Sequence, residues 1–453
     1  MASSYLTRQT TVPTSEKTFT FSTWMKVSAR TGADNGIIEW YRDSNNRHQI
    51  LIDSTSSKLR VYSVEAGSSK VDVHSNAVFR DPSAWYHIVI HSDNTQASAS
   101  DRFKLWVNGV AQTFSTYTWS FNQGVNINVY DGTSGDAVNL GTRNESTSNS
   151  FDGCLADTYY IDGSTIAHTE FGQTDSTSGI WKPNMSPTIS SYGNAGFHLT
   201  YEDSSNIGDD TSGNSKDMTS VGTLTQNKDT PSNNFATLNP LHTTGNSTLP
   251  ALSNGNLTYT GHSSTSYSGT YSSIAASSGK WYAEFKCTGG AGAVDMMIGA
   301  GTGITNTTAP GASSEDMVVF GYDGKYYAGS SGVSYGDAWV SGDIIGIAMD
   351  LDNNKMYIRK NDSAWMNSGD PTSGSTGTGA LTLATSSTGV YHFLLGDYGG
   401  SGTPICEANF GSGFFGTTAV ASANADGNGI GAFEYAVPSG YYALNTKNLK
   451  EFG

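Results

Sequence analysis

The sequence predicts an all-β protein made of two antiparallel, jelly-roll-like β-sandwich domains in tandem. Three observations carry this expectation. Turn formers abound: the 453 residues include 53 Gly, and Ser and Thr make up roughly a quarter, well above ordinary usage. Aromatic residues reach 11%, with 24 Tyr, 18 Phe and 9 Trp, against only 14% charged residues. Apolar residues recur with period two in short stretches bounded by Gly, Asn, Asp and Ser. The same features exclude other classes. Gly has no triplet register, so the chain is not collagen-like. The aromatic content is too apolar for bulk disorder, and Glu, Lys and Leu are too scarce for a coiled coil.

The strands follow in order. In Phe19 to Val27, one face carries Phe19, Phe21, Met25 and Val27. Trp85 to His91 places Tyr86, Ile88 and Ile90 together. Phe103, Leu105 and Val107 alternate in a third strand that ends at Asn108-Gly109, a pair suited to the positive φ angles of a type I′ hairpin. A polar, turn-rich stretch from Asp203 to Gly222 and the segment from Asp229 to Phe235 place a domain boundary near residue 228, giving domains 1–228 and 229–453, the second with a short C-terminal tail. Beyond it, Trp281, Ala283, Phe285 and Cys287 form one strand face, and Ile345, Ile347, Met349 and Leu351 another. Asp352-Asn353-Asn354 turns the chain and Met356-Tyr357-Ile358 returns. Ser368 to Gly379, rich in Gly, Ser and Thr, reads as a long flexible loop.

Net charge is −16, divided as −7 up to residue 228 and −9 beyond it, where Arg359 is the only arginine. Such a surface repels phosphate backbones and anionic bilayers, so nucleic acid is not an expected partner. The start of the chain lacks a hydrophobic signal region, and runs such as Ile344 to Met349 are too short to span a bilayer. The expectation is a chain made in a reducing cytoplasm, without membrane insertion. Cys154, Cys287 and Cys406 each lie in an apolar, strand-like stretch. Their spacing suits no metal, and they read as small buried hydrophobes without an intrachain disulfide.

The ordered set Phe19 to Lys26, Trp85 to Val89, Lys104 to Gly109, Leu140-Gly141 and Phe151 to Gly163 resembles a laminin-G-like, concanavalin-type jelly roll over residues 1 to about 225. Gly279 to Phe285, Phe320 to Gly324, Gly342 to Asp352, Tyr357 to Asn361, Asn409-Phe410-Gly411 and Pro438 to Tyr441 resemble a SPRY domain over about 229 to 445. The tandem is similar to virion proteins of tailed bacteriophages, with Tyr5-Leu6-Thr7-Arg8 opening the jelly roll and Asp229 to Leu241 joining the modules. Unlike elongated fibres, the protein is expected to have no heptads, no triple-helical repeat and no N-terminal anchoring module. That resemblance implies a tail-fibre, adhesin or head-decoration component located in the virion. Its implied partners are other virion proteins and host-surface glycan. A symmetric homo-oligomer is expected, a trimer above all.

For catalysis, glucanase-like members of the fold carry carboxylates alternating on one strand. Glu39-Trp40-Tyr41-Arg42-Asp43 is the nearest approach, and its residues do not share a strand face. His48, His74, His87, His91 and His168 have no triad context, and His87 and His91 fall on one strand face rather than at helical spacing. No catalytic residue, metal or cofactor is therefore assigned. Asp209, Asp210, Asn214 and Asp217 could offer oxygen ligands to calcium, but read better as an Asx-rich turn. Asp350, Asp352 and Asn354 imitate a calcium loop, with Lys355 where Gly belongs and Asn361 where Glu belongs. Glycan binding needs aromatic faces on loops of a stiff scaffold. The candidates are Tyr41, Tyr117 and Trp119 in the first domain, and Tyr326, Tyr327, Trp339 and Trp365 in the second. The rival readings are a polysaccharide-binding or -cleaving module and a SPRY-type peptide-recognition protein.

Overall fold

A computed structural model describes residues 4–28, 33–127, 131–132, 135–143, 149–245, 249–262, 267–289, 296–303, 310–311, 317–329, 331–397 and 403–453. The chain divides into two units, Met1–Gln226 and Asn227–Gly453. Each is a pair of antiparallel sheets enclosing an apolar core.

The first unit contains strands β1 (Tyr5–Gln9), β2 (Thr18–Val27), β3 (Asn35–Asp43), β4 (Asn46–Ile52), β5 (Lys58–Glu65), β6 (Ser68–Val78), β7 (Tyr86–Asp93), β8 (Phe103–Val107), β9 (Val110–Ala111), β10 (Phe114–Trp119), β11 (Ala137–Leu140), β12 (Gly153–Asp162), β13 (Gly172–Thr174), β14 (Trp181–Pro183), β15 (Phe197–Leu199) and β16 (Thr219–Val221). One sheet runs β10-β6-β5-β4-β3-β11-β1-β16 and the other β15-β12-β2-β7-β8-β9, while β13 and β14 form a separate hairpin. Period-two alternation explains the layering. Phe19, Phe21, Met25 and Val27 of β2 face Ile38, Trp40, Ile50 and Val61 of the opposite sheet across one core. The Asn108-Gly109 hairpin forms as the sequence predicts: Val107 pairs with Val110, and both turn residues have positive φ, 48° and 76°.

The second unit holds a seven-stranded and an eight-stranded sheet. At the centre of the larger sheet, Lys280–Gly289 lies between Ile344–Asp350 and Ile405–Asn409. Ile344–Asp350 turns through residues 351–354 into Lys355–Lys360, with Asp350 opposite Lys355 and Asn354 at φ 57°. Cys287 and Cys406 stand directly opposite each other in register, fully buried, their free thiols 2.9 Å apart. Burial pushes the Cys287 thiol up, so it stays protonated. Cys154 is only half-buried, which departs from the fully buried reading.

Two segments differ from expectation. Residues 368–379 are a set of tied turns rather than a flexible loop. Asp370 accepts from Thr372 N and Oγ1, and Asp370 N donates to Thr378 O. The hydroxyls of Tyr441 and Tyr335 anchor Pro371 O and Gly379 O. The C-terminal tail contains a helix, Thr446–Phe452, capped by Asn445, whose side chain accepts from Asn448 N. Phe452 stacks on Tyr442 at 3.7 Å. Among the described residues, no helix is long and apolar enough to cross a membrane.

Candidate functional site

The same alternation that fills the core of the first unit dictates what lies on the outer face of its smaller sheet. Ser22 and Trp24 of β2, His87, Val89 and His91 of β7, and Trp106 of β8 point away from the core. A second apolar cluster covers part of this face: Val89, Tyr159, Ile161 and Phe171, with Ile166, Ile189 and Tyr192 packed against them. The chain after β12 therefore folds back over the sheet.

Where it does so, Trp and His rings alternate. Trp24 stacks on His87 with centroids 4.6 Å apart, and His87 on Trp181 at 6.0 Å. His168 stacks on Trp181 at 6.1 Å and on Trp106 at 5.0 Å, and Trp106 leans on His91 at 4.6 Å. Trp24 and His87 are buried, whereas Trp106, His168 and Trp181 are half-buried and form the solvent end of the row. Hydrogen bonds fix the inner imidazole. The indole N–H of Trp181 donates to His87 Nδ1 at 3.0 Å, so the proton sits on Nε2, which donates to Ser22 Oγ at 2.9 Å. Burial, with His168 nearby, pushes His87 down to about 3, and burial also lowers His91 and His168. These rings are neutral at physiological pH. They offer flat apolar faces and hydrogen-bonding edges.

Two glycines shape the row. A Cβ on Gly172 would sit 2.5 Å from the Trp181 ring, and one on Gly109 equally close. Gly172→Val should lever Trp181 off His87 and open the imidazole to water, at about 1–3 kcal/mol of stability. The His87 pKa should then rise from about 3 toward its ordinary value. An NMR titration of the imidazole checks this; an unmoved His87 would refute the packing argument.

The aromatics expected from sequence do not form one site. Trp119 is only 8% exposed; its N–H donates to Asn94 Oδ1 at 3.0 Å and its ring packs on Phe103 and Phe121. Trp339, 2% exposed, donates to Gly321 O at 3.0 Å. Both are core side chains and present no face to a ligand, because their apolar area is better buried than displayed. Tyr41 is half-buried on β3 opposite Arg47 and Ala137. Tyr117 donates to Ala99 O at 2.6 Å. Tyr326 stands edge-on to Tyr335 at 6.1 Å, and Tyr327 donates to Asp323 at 2.9 Å. Trp365, half-buried, lies under the Arg359 guanidinium at 5.1 Å. Sequence reasoning missed Trp106, His168 and Trp181 as a group. Trp106 sat within a recognised strand motif, while Trp181 lies in a Ser/Thr-rich stretch without periodicity.

The acidic candidates are engaged structurally. The Asp210 carboxylate accepts from His198 N, Ser212 N, Ser212 Oγ and Lys216 N, and Asp217 accepts from Asp210 N. Asn214 donates to Gly193 O and Gly196 O. Glu39 is fully buried and accepts from Gln49, while Asp43 caps the turn at Asn45 and Asn46. Among the described residues, no group of three or more His, Cys, Asp or Glu is placed to hold a metal ion.

A laminin-G-type family model, described as the Concanavalin A-like lectin/glucanases superfamily, matches residues 2–164. Similar solved structures include the SPRY domain of human HERC1, 14% identical, covering 38% of this chain and 96% of that one, with a TM-score of 0.29. The native heptameric SAP-like pentraxin from Limulus polyphemus is 17% identical, covering 37% and 74%, with a TM-score of 0.28. A human SPRY domain is 17% identical, covering 35% and 93%, with a TM-score of 0.25. No curated protein matches the chain. The chain is thus an all-β protein of tandem antiparallel sandwiches, the first carrying a concanavalin-like jelly roll.

Proposed function

We propose that the protein is a non-catalytic, glycan-binding structural protein, displayed on the surface of a tailed-bacteriophage particle and contacting glycans of the host surface. The half-exposed Trp106–His168–Trp181 row carries the binding part of this reading. It places stacked aromatic faces on a rigid sheet of a lectin-like fold. The burial that holds His87 low and the structural engagement of Glu39 and Asp43 support the non-catalytic part. The virion placement rests on the resemblance of the tandem sequence motifs to phage particle proteins. Single sites of this kind bind weakly, and a symmetric oligomer, a trimer in this reading, supplies avidity.

Glycan-array binding of the full chain, with and without Trp181→Ala, tests the site. Wild type should bind neutral host polysaccharide without releasing sugar fragments, and Trp181→Ala should weaken binding about tenfold, the loss of one good aromatic contact. Antibody decoration of intact particles tests display. Unchanged binding by the variant sinks the site, fragment release sinks the non-catalytic role, and undecorated particles sink the virion placement.

A further inference from the structure

Of the three cysteines, the fold of the second unit brings two together. Cys287 lies on Lys280–Gly289 and Cys406 on Ile405–Asn409, neighbouring interior strands of the eight-stranded sheet. They oppose each other directly in antiparallel register. Opposed residues of an antiparallel pair have Cα atoms about 4.5–5.5 Å apart, whichever kind of pair they form. A disulfide bridges Cα separations of about 4.4–6.8 Å, so the register already meets its backbone requirement.

The side chains meet it as well. Directly opposed residues share a face of the sheet, and both cysteines are fully buried there. Their Sγ atoms are 2.9 Å apart. A bond of about 2.05 Å therefore needs a further approach of less than about 1 Å. The ladder shifts register immediately beyond the pair, between Cys287 and Gly289. Such a bulge interrupts the regular pairing and lets the strand give locally. Cys154 belongs to the first unit, where it stands opposite Lys26. Buried cysteines commonly act as small apolar side chains, but that role does not require two thiols to face each other at this distance.

We propose that Cys287 and Cys406 are an oxidisable pair, open in reducing surroundings and closed to an intrachain disulfide, which stabilises the second unit, when the chain folds in oxidising ones. The closing step is exchange with a small disulfide such as oxidised glutathione. One cysteine thiolate attacks the glutathione disulfide, forming a mixed disulfide and releasing one glutathione thiolate. The second cysteine gives up its proton and attacks the protein-bound sulfur, releasing the other glutathione. The pair loses two electrons and two protons, and oxidised glutathione becomes two thiols. The link spans 119 residues. Met296–Gly301, Met317–Gly321, Ile344–Asp350 and His392–Asp397 all lie within it, so it restrains most of the unit's unfolded chain. The thiolate is the attacking form, and burial keeps the Cys287 thiol protonated and both sulfurs covered. The folded protein therefore reacts slowly and the refolding chain quickly.

The test uses the full chain as wild type, Cys154→Ser and Cys406→Ala. Each is unfolded in urea with reductant, then refolded in a mixture of oxidised and reduced glutathione or in reduced glutathione alone. Peptide mapping without reduction, intact mass and thermal melting are measured. Wild type and Cys154→Ser refolded with the oxidant should yield a peptide cross-linked between Cys287 and Cys406, and Cys154→Ser should be lighter by two hydrogens. Their second unit should melt about 5–10 °C above the reduced form. Cys406→Ala should melt alike in both buffers; if it does not fold, Cys154→Ser carries the test alone. Folded wild type given the oxidant without urea should form the cross-link more slowly than the refolding chain. Free thiols at both positions after oxidative refolding overturn the proposal, as does a cross-link through Cys154. A cross-linked protein that melts no higher than the reduced one overturns the stabilising role, and equally fast closure in the folded protein overturns burial as the barrier.

Discussion

Taking the protein from pH 7 to pH 4 should cost the first unit several kcal/mol of stability, through histidines that carry no charge in the folded state. His48 and His87 are almost fully buried, and burial holds both down to about 3. In the unfolded chain each titrates near 6.5. Between those values the unfolded state takes up a proton that the folded state refuses, so stability falls as pH falls. Each histidine accounts for up to about 3 kcal/mol by pH 4. Carboxylates held low by hydrogen bonds, such as Asp53 and Asp93, add their losses further down the scale. A substitution isolates the histidine contribution. His48 sits edge-on to Phe19 at 6.1 Å and to Trp40 at 5.8 Å, an environment that suits a phenyl ring. His48→Phe should change little at pH 7 and recover about 3 kcal/mol at pH 4. Urea midpoints for the first unit, followed by near-UV circular dichroism at both pH values, check this. Equal pH sensitivity in variant and wild type would refute it.

What could be read from sequence, and what could not, divides along one physical line. Periodicity reveals which face of a strand is apolar, because side chains alternate whatever the neighbours are. The faces of β2 and the Asn108-Gly109 hairpin were legible for that reason, as was the turn after Asp350. Periodicity does not reveal which strands lie side by side. Trp181 meets His87 across 94 residues, and Cys287 meets Cys406 across 119. No local pattern encodes either meeting. The same limit explains Trp119 and Trp339. An aromatic beside turn residues looks available for a ligand, yet whether its ring is covered depends on strands far away in sequence. The segment 368–379 shows the converse error. Its Gly, Ser and Thr content suggests freedom, but those residues also make the Asx and hydroxyl turns that tie it down.

Arg359→Leu should destabilise the second unit by about 3–5 kcal/mol, because it removes one member of a buried, charge-bearing network. Arg359 is 6% exposed. Its Nη2 donates to the Tyr282 hydroxyl and to Ala436 O, each at 2.7 Å, and the guanidinium lies over the rings of Trp365, Tyr282 and Tyr435 at 5.1, 5.5 and 5.6 Å. Tyr282 passes the polarity on, donating to Glu284 Oε1 at 3.0 Å. Gly346 leaves room for this chain, since a Cβ there would lie 2.6 Å from the Tyr282 hydroxyl. Glu284 also accepts from Glu434 N and Tyr435 N, yet burial outweighs these donors and pushes its carboxyl up to about 7. The pH sign is therefore opposite to that of the buried histidines. Below about pH 4.5 both states hold the proton; between 4.5 and 7 only the folded state keeps it, so stability is lost as pH rises through that window. The loss is about 3 kcal/mol, and Glu284→Gln, which stays neutral, should abolish it. The double variant should be less destabilised than the sum of the single changes, because Glu284 without Arg359 is a buried acid with no cation beside it. Urea midpoints of the second unit at pH 5 and pH 8 for the four proteins decide the matter. Additive losses, or a wild-type pH slope that persists in Glu284→Gln, would show that Tyr282 does not couple the two charges.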